Sequence, residues 1–182
     1  AQTYLAHGDY VTISYTSEWG NAIPRKYLES STNGVRYTNT VNDNCLLQLE
    51  VANGEYRFKD VSTGLYLKVN NNGANQGSLN LTNEGNASLF KFNDKGSVQG
   101  QYMYGQLYYN ATMSWGAVQA LYFTIDFAIA GWNPFDFYIE KWEKVGGGDA
   151  AANFEPADKV IFEYAANEDA AKEQAIDVKF ML

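Results

Sequence analysis

Apolar and polar residues alternate in a series of short runs with a period of two, the spacing of half-buried strands rather than of helices. The clearest series lies between residues 55 and 92. Glu55-Tyr56-Arg57-Phe58-Lys59 alternates, Ser62-Thr63-Gly64 supplies a turn, and Leu65-Tyr66-Leu67-Lys68-Val69 sets Leu65, Leu67 and Val69 on one face. A polar turn follows over 70–77, then two more alternating runs, Leu79-Asn80-Leu81 and Leu89-Phe90-Lys91-Phe92. Four short strands are therefore expected in this stretch.

The same plan predicts strands over 10–15, 26–29, 35–38 and 46–51 before it. After it, strands are expected over 102–104, 107–109, 121–125 and 135–140. A short phrase marks the start of each set. Gly8-Asp9-Tyr10, Gly54-Glu55-Tyr56 and Gly100-Gln101-Tyr102 recur at an interval of 46 residues. The units run approximately 8–53, 54–99 and 100–145, a period in the range of repeat architectures. The loops inside them differ. Residues 16–25 and 126–134 are the enlarged ones.

Thr63-Gly64-Leu65-Tyr66-Leu67-Lys68-Val69 resembles the Gly-x-Tyr-Leu phrase of β-trefoil repeats. Ala87-Ser88-Leu89-Phe90-Lys91-Phe92 looks like their apolar last strand, and Arg25-Lys26-Tyr27-Leu28 with Leu47-Gln48-Leu49-Glu50 is the matching pair in the first unit. The resemblance is to ricin-type lectin and fascin-like trefoils. It implies an all-β fold over residues 1–145, three four-stranded repeats making a six-stranded barrel capped by three hairpins, with few open sheet edges. The sugar site of ricin-type repeats does not carry over. Their closing Gln-x-Trp is absent from Leu47-Gln48-Leu49, Phe90-Lys91-Phe92 and Phe137-Tyr138-Ile139. Their early Asp is matched only by Asp9, with Glu55 and Gln101 in the later units.

Gly146-Gly147-Gly148 interrupts the pattern, and 146–149 reads as a linker. Residues 150–182 are rich in Ala and acids. A strand is expected over 160–164, a helical run over 168–176 and a strand-like end over 177–182. So short a piece cannot bury its own core, and it reads as an extension or the truncated start of a second domain, which would contact the module. Ala1-Gln2 suggests a processed start. The whole reads as a module of a larger secreted, periplasmic or cell-surface protein.

The 182 residues carry a formal charge of −8, from 13 acids against 10 bases up to residue 145 and 8 against 3 beyond it. No basic stripe offers itself to nucleic acid, and no apolar stretch is long enough to insert in a membrane. The single cysteine, Cys45, beside Leu46-Leu47, reads as an inert buried thiol. The single histidine, His7, makes a nucleophile–histidine arrangement or a zinc site hard to build, so no catalytic residue, metal or cofactor is expected. The remote enzymatic alternative is a glycoside hydrolase built from Asp126, Asp136 and Glu140 of the third unit. The asparagines of Asn80-Leu81-Thr82, Asn86-Ala87-Ser88 and Asn110-Ala111-Thr112 match the N-glycosylation pattern.

Binding fits the composition better. Sugars are recognised by an aromatic face under their C–H groups, flanked by amides or carboxylates. Trp19, in Ser17-Glu18-Trp19-Gly20-Asn21, Trp115, in Ser114-Trp115-Gly116, and Trp132, in Gly131-Trp132-Asn133-Pro134, all fall in expected loops. Trp19, Asn21, Trp115, Trp132 and Asn133 are therefore the expected ligand-binding residues, for a glycan or a surface protein. Each ring could equally plug a barrel end, which gives the alternative of a structural or protein-interaction trefoil without a small-molecule site. Trp142, in Glu140-Lys141-Trp142, is expected to close the last strand against the first.

Overall fold

A computed structural model describes residues 5–31, 34–71, 76–98, 100–123, 128–130 and 135–157. Twelve of its strands fall into three sets of four. The first set is β1 (Tyr10–Glu18), β2 (Asn21–Ser31), β3 (Gly34–Thr38) and β4 (Leu47–Ala52). The second is β5 (Glu55–Asp60), β6 (Tyr66–Asn71), β7 (Gln76–Thr82) and β8 (Lys91–Asp94). The third is β9 (Tyr102–Thr112), β10 (Val118–Phe123), β11 (Ala128–Ala130) and β12 (Phe137–Lys144), after which β13 (Phe154–Pro156) is added.

The pairings close a ring. β1 pairs with β4, β4 with β5, β8 with β9, β9 with β12, and β12 with β1. The remaining joint, between β5 and the approach to β8, is made by reciprocal 2.8 Å bonds between Tyr56 and Phe90. Each set then sends a hairpin off this barrel: β2 with β3, β6 with β7 and β10 with β11. β7 and β11 pair, joining two of the hairpins. The chain is thus all-β, with a six-stranded barrel and three hairpins as the trefoil resemblance implies.

Period-two alternation fills the barrel. In β5, Tyr56 and Phe58 point inward while Glu55, Arg57 and Lys59 stay half-buried. Phe58, Phe90 and Phe123 meet edge-on in the centre, with centroids 5.6 Å and 5.4 Å apart. Val11, Ile13, Leu47, Leu49, Met103, Leu107 and Ile139 complete the core. Each such side chain contributes about 1.5–3 kcal/mol by leaving water. Leu65 departs from its expected face. It lies just ahead of β6 and is exposed, whereas Leu67 and Val69 are buried.

Two expected breaks are not breaks. Residues 16–25, expected as a loop, are mostly strand: β1 and β2 run on until only Trp19 and Gly20 separate them. Residues 102–104 and 107–109, expected as two strands, are one strand, β9, continuous through Gly105. A Cβ at Gly105 would sit 2.0 Å from the Asn93 carbonyl oxygen, so only glycine lets β8 and β9 approach there. The run expected over 121–125 accordingly belongs to the second strand of its set, and β11 is the third.

Gly146 to Gly148 are exposed, and of the three Gly146 and Gly148 lie against the Asn153 side chain. A Cβ at Gly146 would fall 2.1 Å from Oδ1 of Asn153, and the Asn153 carbonyl accepts hydrogen bonds from the N–H groups of Val145 and Gly146. β13 then pairs with β12, Phe154 meets Tyr10 edge-on at 4.9 Å, and Ala157 is buried. The elements expected over 160–164, 168–176 and 177–182 lie outside the described residues. Among the described residues no helix is long and apolar enough to cross a membrane.

Candidate functional site

β1 and β2 meet in a two-residue turn closed by the Glu18–Asn21 pair. Trp19 has φ 52° and Gly20 φ 82°, both left-handed, as a type I′ hairpin turn requires. The first position favours Asn, Asp or Gly; a Trp there costs roughly 1–2 kcal/mol in backbone strain. The ring is nevertheless 59% exposed. Phe135 supports it edge-on at 5.6 Å and itself stacks on Tyr15 at 4.7 Å, which meets Phe137 at 5.5 Å. An aromatic column therefore rises from the core to the turn. Asn21, the first residue of β2, is exposed beside it.

Trp115 tops the hairpin between β9 and β10. The Gly116 N–H donates to the Met113 carbonyl at 2.9 Å and the Met113 N–H to the Ala117 carbonyl at 2.8 Å, while the buried Met113 side chain anchors the turn. Trp115 is 55% exposed, next to the exposed Val118. Trp19 and Trp115 thus occupy corresponding hairpins of the first and third sets. The corresponding turn of the second set holds no aromatic residue: Ser62, Thr63 and Gly64 fold over the buried Asp60, whose Oδ2 accepts hydrogen bonds from both hydroxyls and the Thr63 N–H. The expected site residues are not gathered into one pocket, and Trp132 and Asn133 lie outside the described residues. Trp142 is fixed between first and last strands, its indole N–H donating to Thr12 Oγ1 at 2.8 Å.

A cleft of about 440 Å³ opens between the second and third sets, lined by Glu55, Lys68, Asn86, Ser88, Tyr109 and Asn110 among others. Sequence reasoning missed it, because its residues come from four separated segments. The one signal was the pair of N-x-Ser/Thr matches at Asn86 and Asn110, which the fold brings to the same opening. Its wall is firmly built. The Val69 N–H donates to Ser88 Oγ at 2.8 Å, and Tyr109 packs edge-on against Phe90.

The carboxylates expected for hydrolysis are engaged elsewhere. Asp136 pairs with Lys95 at 3.1 Å, and Glu140 pairs with Arg25 at 2.9 Å beside Ser14. Asp136 lies just ahead of β12 and Glu140 within it, about 13 Å of extended backbone apart, and each carboxylate is held by its own cation. Burial, with the Asp136 charge behind it, holds the Tyr104 phenol above its usual range. Asp126 lies outside the described residues. His7 Nδ1 accepts the Val51 N–H at 3.0 Å, and burial pushes the Cys45 thiol up to about 11. No group of three or more His, Cys, Asp or Glu among the described residues could hold a metal ion.

Comparison of the backbone with solved structures finds a ricin B-like lectin from Macrolepiota procera, solved in complex with lactose. The TM-score is 0.50 over 76% of this chain and 99% of the lectin, at 12% identity. The fold is that of a ricin B-like lectin. At that identity the likeness concerns the fold alone. No family model matches the sequence, and no curated protein matches it.

Proposed function

We propose that this lectin-like trefoil is a non-catalytic glycan-binding module whose hairpin-tip tryptophans stack on sugar rings. One observation carries the reading: Trp19 stays 59% exposed at a left-handed turn position that disfavours it. Backbone strain at an exposed aromatic residue is the pattern expected where binding, not stability, decides the residue. The indole offers a face to sugar C–H groups, and Asn21 and the edge of the turn offer hydrogen bonds to hydroxyls. Trp115 would be a second platform on its own hairpin; Trp132 and Asn133 join the proposal from sequence alone. The lactose complex of the similar lectin supports a carbohydrate as ligand; a secreted or surface protein as the setting joins the proposal from sequence alone.

The test is a titration of tryptophan fluorescence against soluble polysaccharides and host glycans. A saturable shift is expected, weakened about tenfold or more by Trp19→Ala or Trp115→Ala in variants with unchanged circular dichroism. A flat response across the panel would remove the glycan reading and turn attention to protein partners.

A further inference from the structure

Among the described residues the acidic side chains are almost all engaged, whereas Lys59, Lys68 and Lys91 have no anionic partner. Among the described residues every carboxylate except Glu55 has an ion pair, a hydrogen bond or another charged contact. Glu55 lines the cleft between the second and third sets, and so does Lys68, which has no anionic partner. The two form no ion pair with each other, although they come from adjacent strands, β5 and β6. Arg57, the nearest cation along β5, is taken by Glu50 at 2.6 Å and Glu84 at 3.8 Å. An unpaired ammonium and an unpaired carboxylate thus line the same opening.

The neutral groups there are equally uncommitted. The Asn86 amide N–H₂ donates to Asn83, which leaves its carbonyl oxygen open as an acceptor, and the Asn110 side chain has no partner among the described residues. The Tyr109 ring is held in place by Phe90. At about 440 Å³ the cleft falls in the size range of small-ligand sites. Asn110 stands three strand residues, about 10 Å, below the turn that carries Trp115.

We infer that this cleft is a second saccharide site, selective for a sugar bearing a carboxylate, a uronic acid unit. The carboxylate pairs with Lys68 and the Asn110 amide, a charge-assisted contact of the stronger kind. Ring hydroxyls donate to Glu55 and to Asn86 Oδ1, and the C–H face lies on Tyr109. The neighbouring unit of an acidic chain then reaches toward Trp115. The class of ligand rests on the glycan reading above; the location does not, since none of the cleft residues belongs to the Trp19 turn.

Calorimetry and side-chain amide NMR with sodium D-glucuronate, methyl glucoside and glucosamine test this. Glucuronate is expected to bind saturably, shift the Asn86 and Asn110 amide signals, and bind about fivefold or more tighter than methyl glucoside. Lys68→Ala should weaken it about tenfold or more and Lys68→Arg only about threefold or less, with added salt weakening the wild type. Lys68→Gln replaces the alanine variant should that fail to fold. No saturable shift at these amides, equal binding of glucuronate and methyl glucoside, tighter binding of glucosamine, or indifference to the loss of the Lys68 charge would each overturn the proposal. Because Trp19→Ala leaves the cleft intact, failure here is distinguishable from failure of the tryptophan platform.

Discussion

The turn at Trp19-Gly20 and the turn at Asn53-Gly54 have the same backbone and different chemistry. Both join consecutive antiparallel strands through two left-handed residues, with φ 52° and 82° in one and 54° and 76° in the other. Asn-Gly is the pair such a turn favours, because Asn tolerates the left-handed region and its side chain can hydrogen-bond locally. Trp has neither advantage. What Trp19 has instead is Phe135 beneath it, an edge contact worth about 0.5–1.5 kcal/mol that recovers part of the strain. One turn is built to connect strands, the other to display a ring.

Removing the support should separate the two turns most. Phe135→Ala is expected to cost roughly 3–5 kcal/mol in urea denaturation, since the side chain is buried and stacked on Tyr15. It should also redden Trp19 emission while leaving the amide signals of Asn53 and Gly54 in place. Transplanting the aromatic comes next. Asn53→Trp has no ring to rest on among its described contacts, so it should destabilise by about 1–2 kcal/mol; an unchanged urea midpoint would mean the strain argument is wrong.

Gly20→Ala and Gly54→Ala probe what the turns share. Nothing lies within 4 Å of a Cβ built at either position, so both losses come from the left-handed backbone, about 1 kcal/mol each and nearly equal. The smallest stability effect is expected from Trp19→Asn. Relief of strain and loss of the Phe135 contact nearly cancel, leaving the variant within about 1 kcal/mol of wild type while glycan binding at this turn weakens about tenfold or more. A loss above about 2 kcal/mol would show Trp19 to be a plug for Phe135, and the contrast between the turns would dissolve.

How much of this the sequence discloses depends on whether a feature is local. The second set of strands is legible because alternation, the Ser62-Thr63-Gly64 turn and Leu67-Lys68-Val69 all lie within a few residues of one another. Burial of Cys45 follows from the apolar residues beside it in the same way. Residues 16–25 mislead because Ser17, Glu18, Trp19, Gly20 and Asn21 look like a loop, yet most of them pair across a hairpin. Gly105 misleads for the opposite reason: a glycine that suggests a break is there to let two strands approach. Exposure of Trp19 and Trp115 cannot be read from periodicity, which assigns no side to a turn residue. The cleft is least legible, because Glu55 and Lys68 share no pattern with Asn86 and Asn110 and the four meet only when the sets assemble. The glycines at 146–148 read as a tether, but Asn153, the residue that lies against Gly146, comes after them.

The pairing of Tyr10 with Trp142 sets a timetable as well as a shape. A chain leaving the ribosome exposes β1 long before β12 exists, so the first strand waits with one hydrogen-bonding edge open until almost the whole barrel has been made. Closing so long a loop carries an entropic cost that local hairpins do not meet, and folds dominated by such distant pairings form slowly. Synthesis itself therefore creates a vulnerable interval in which an unfinished barrel can be captured by another copy of itself.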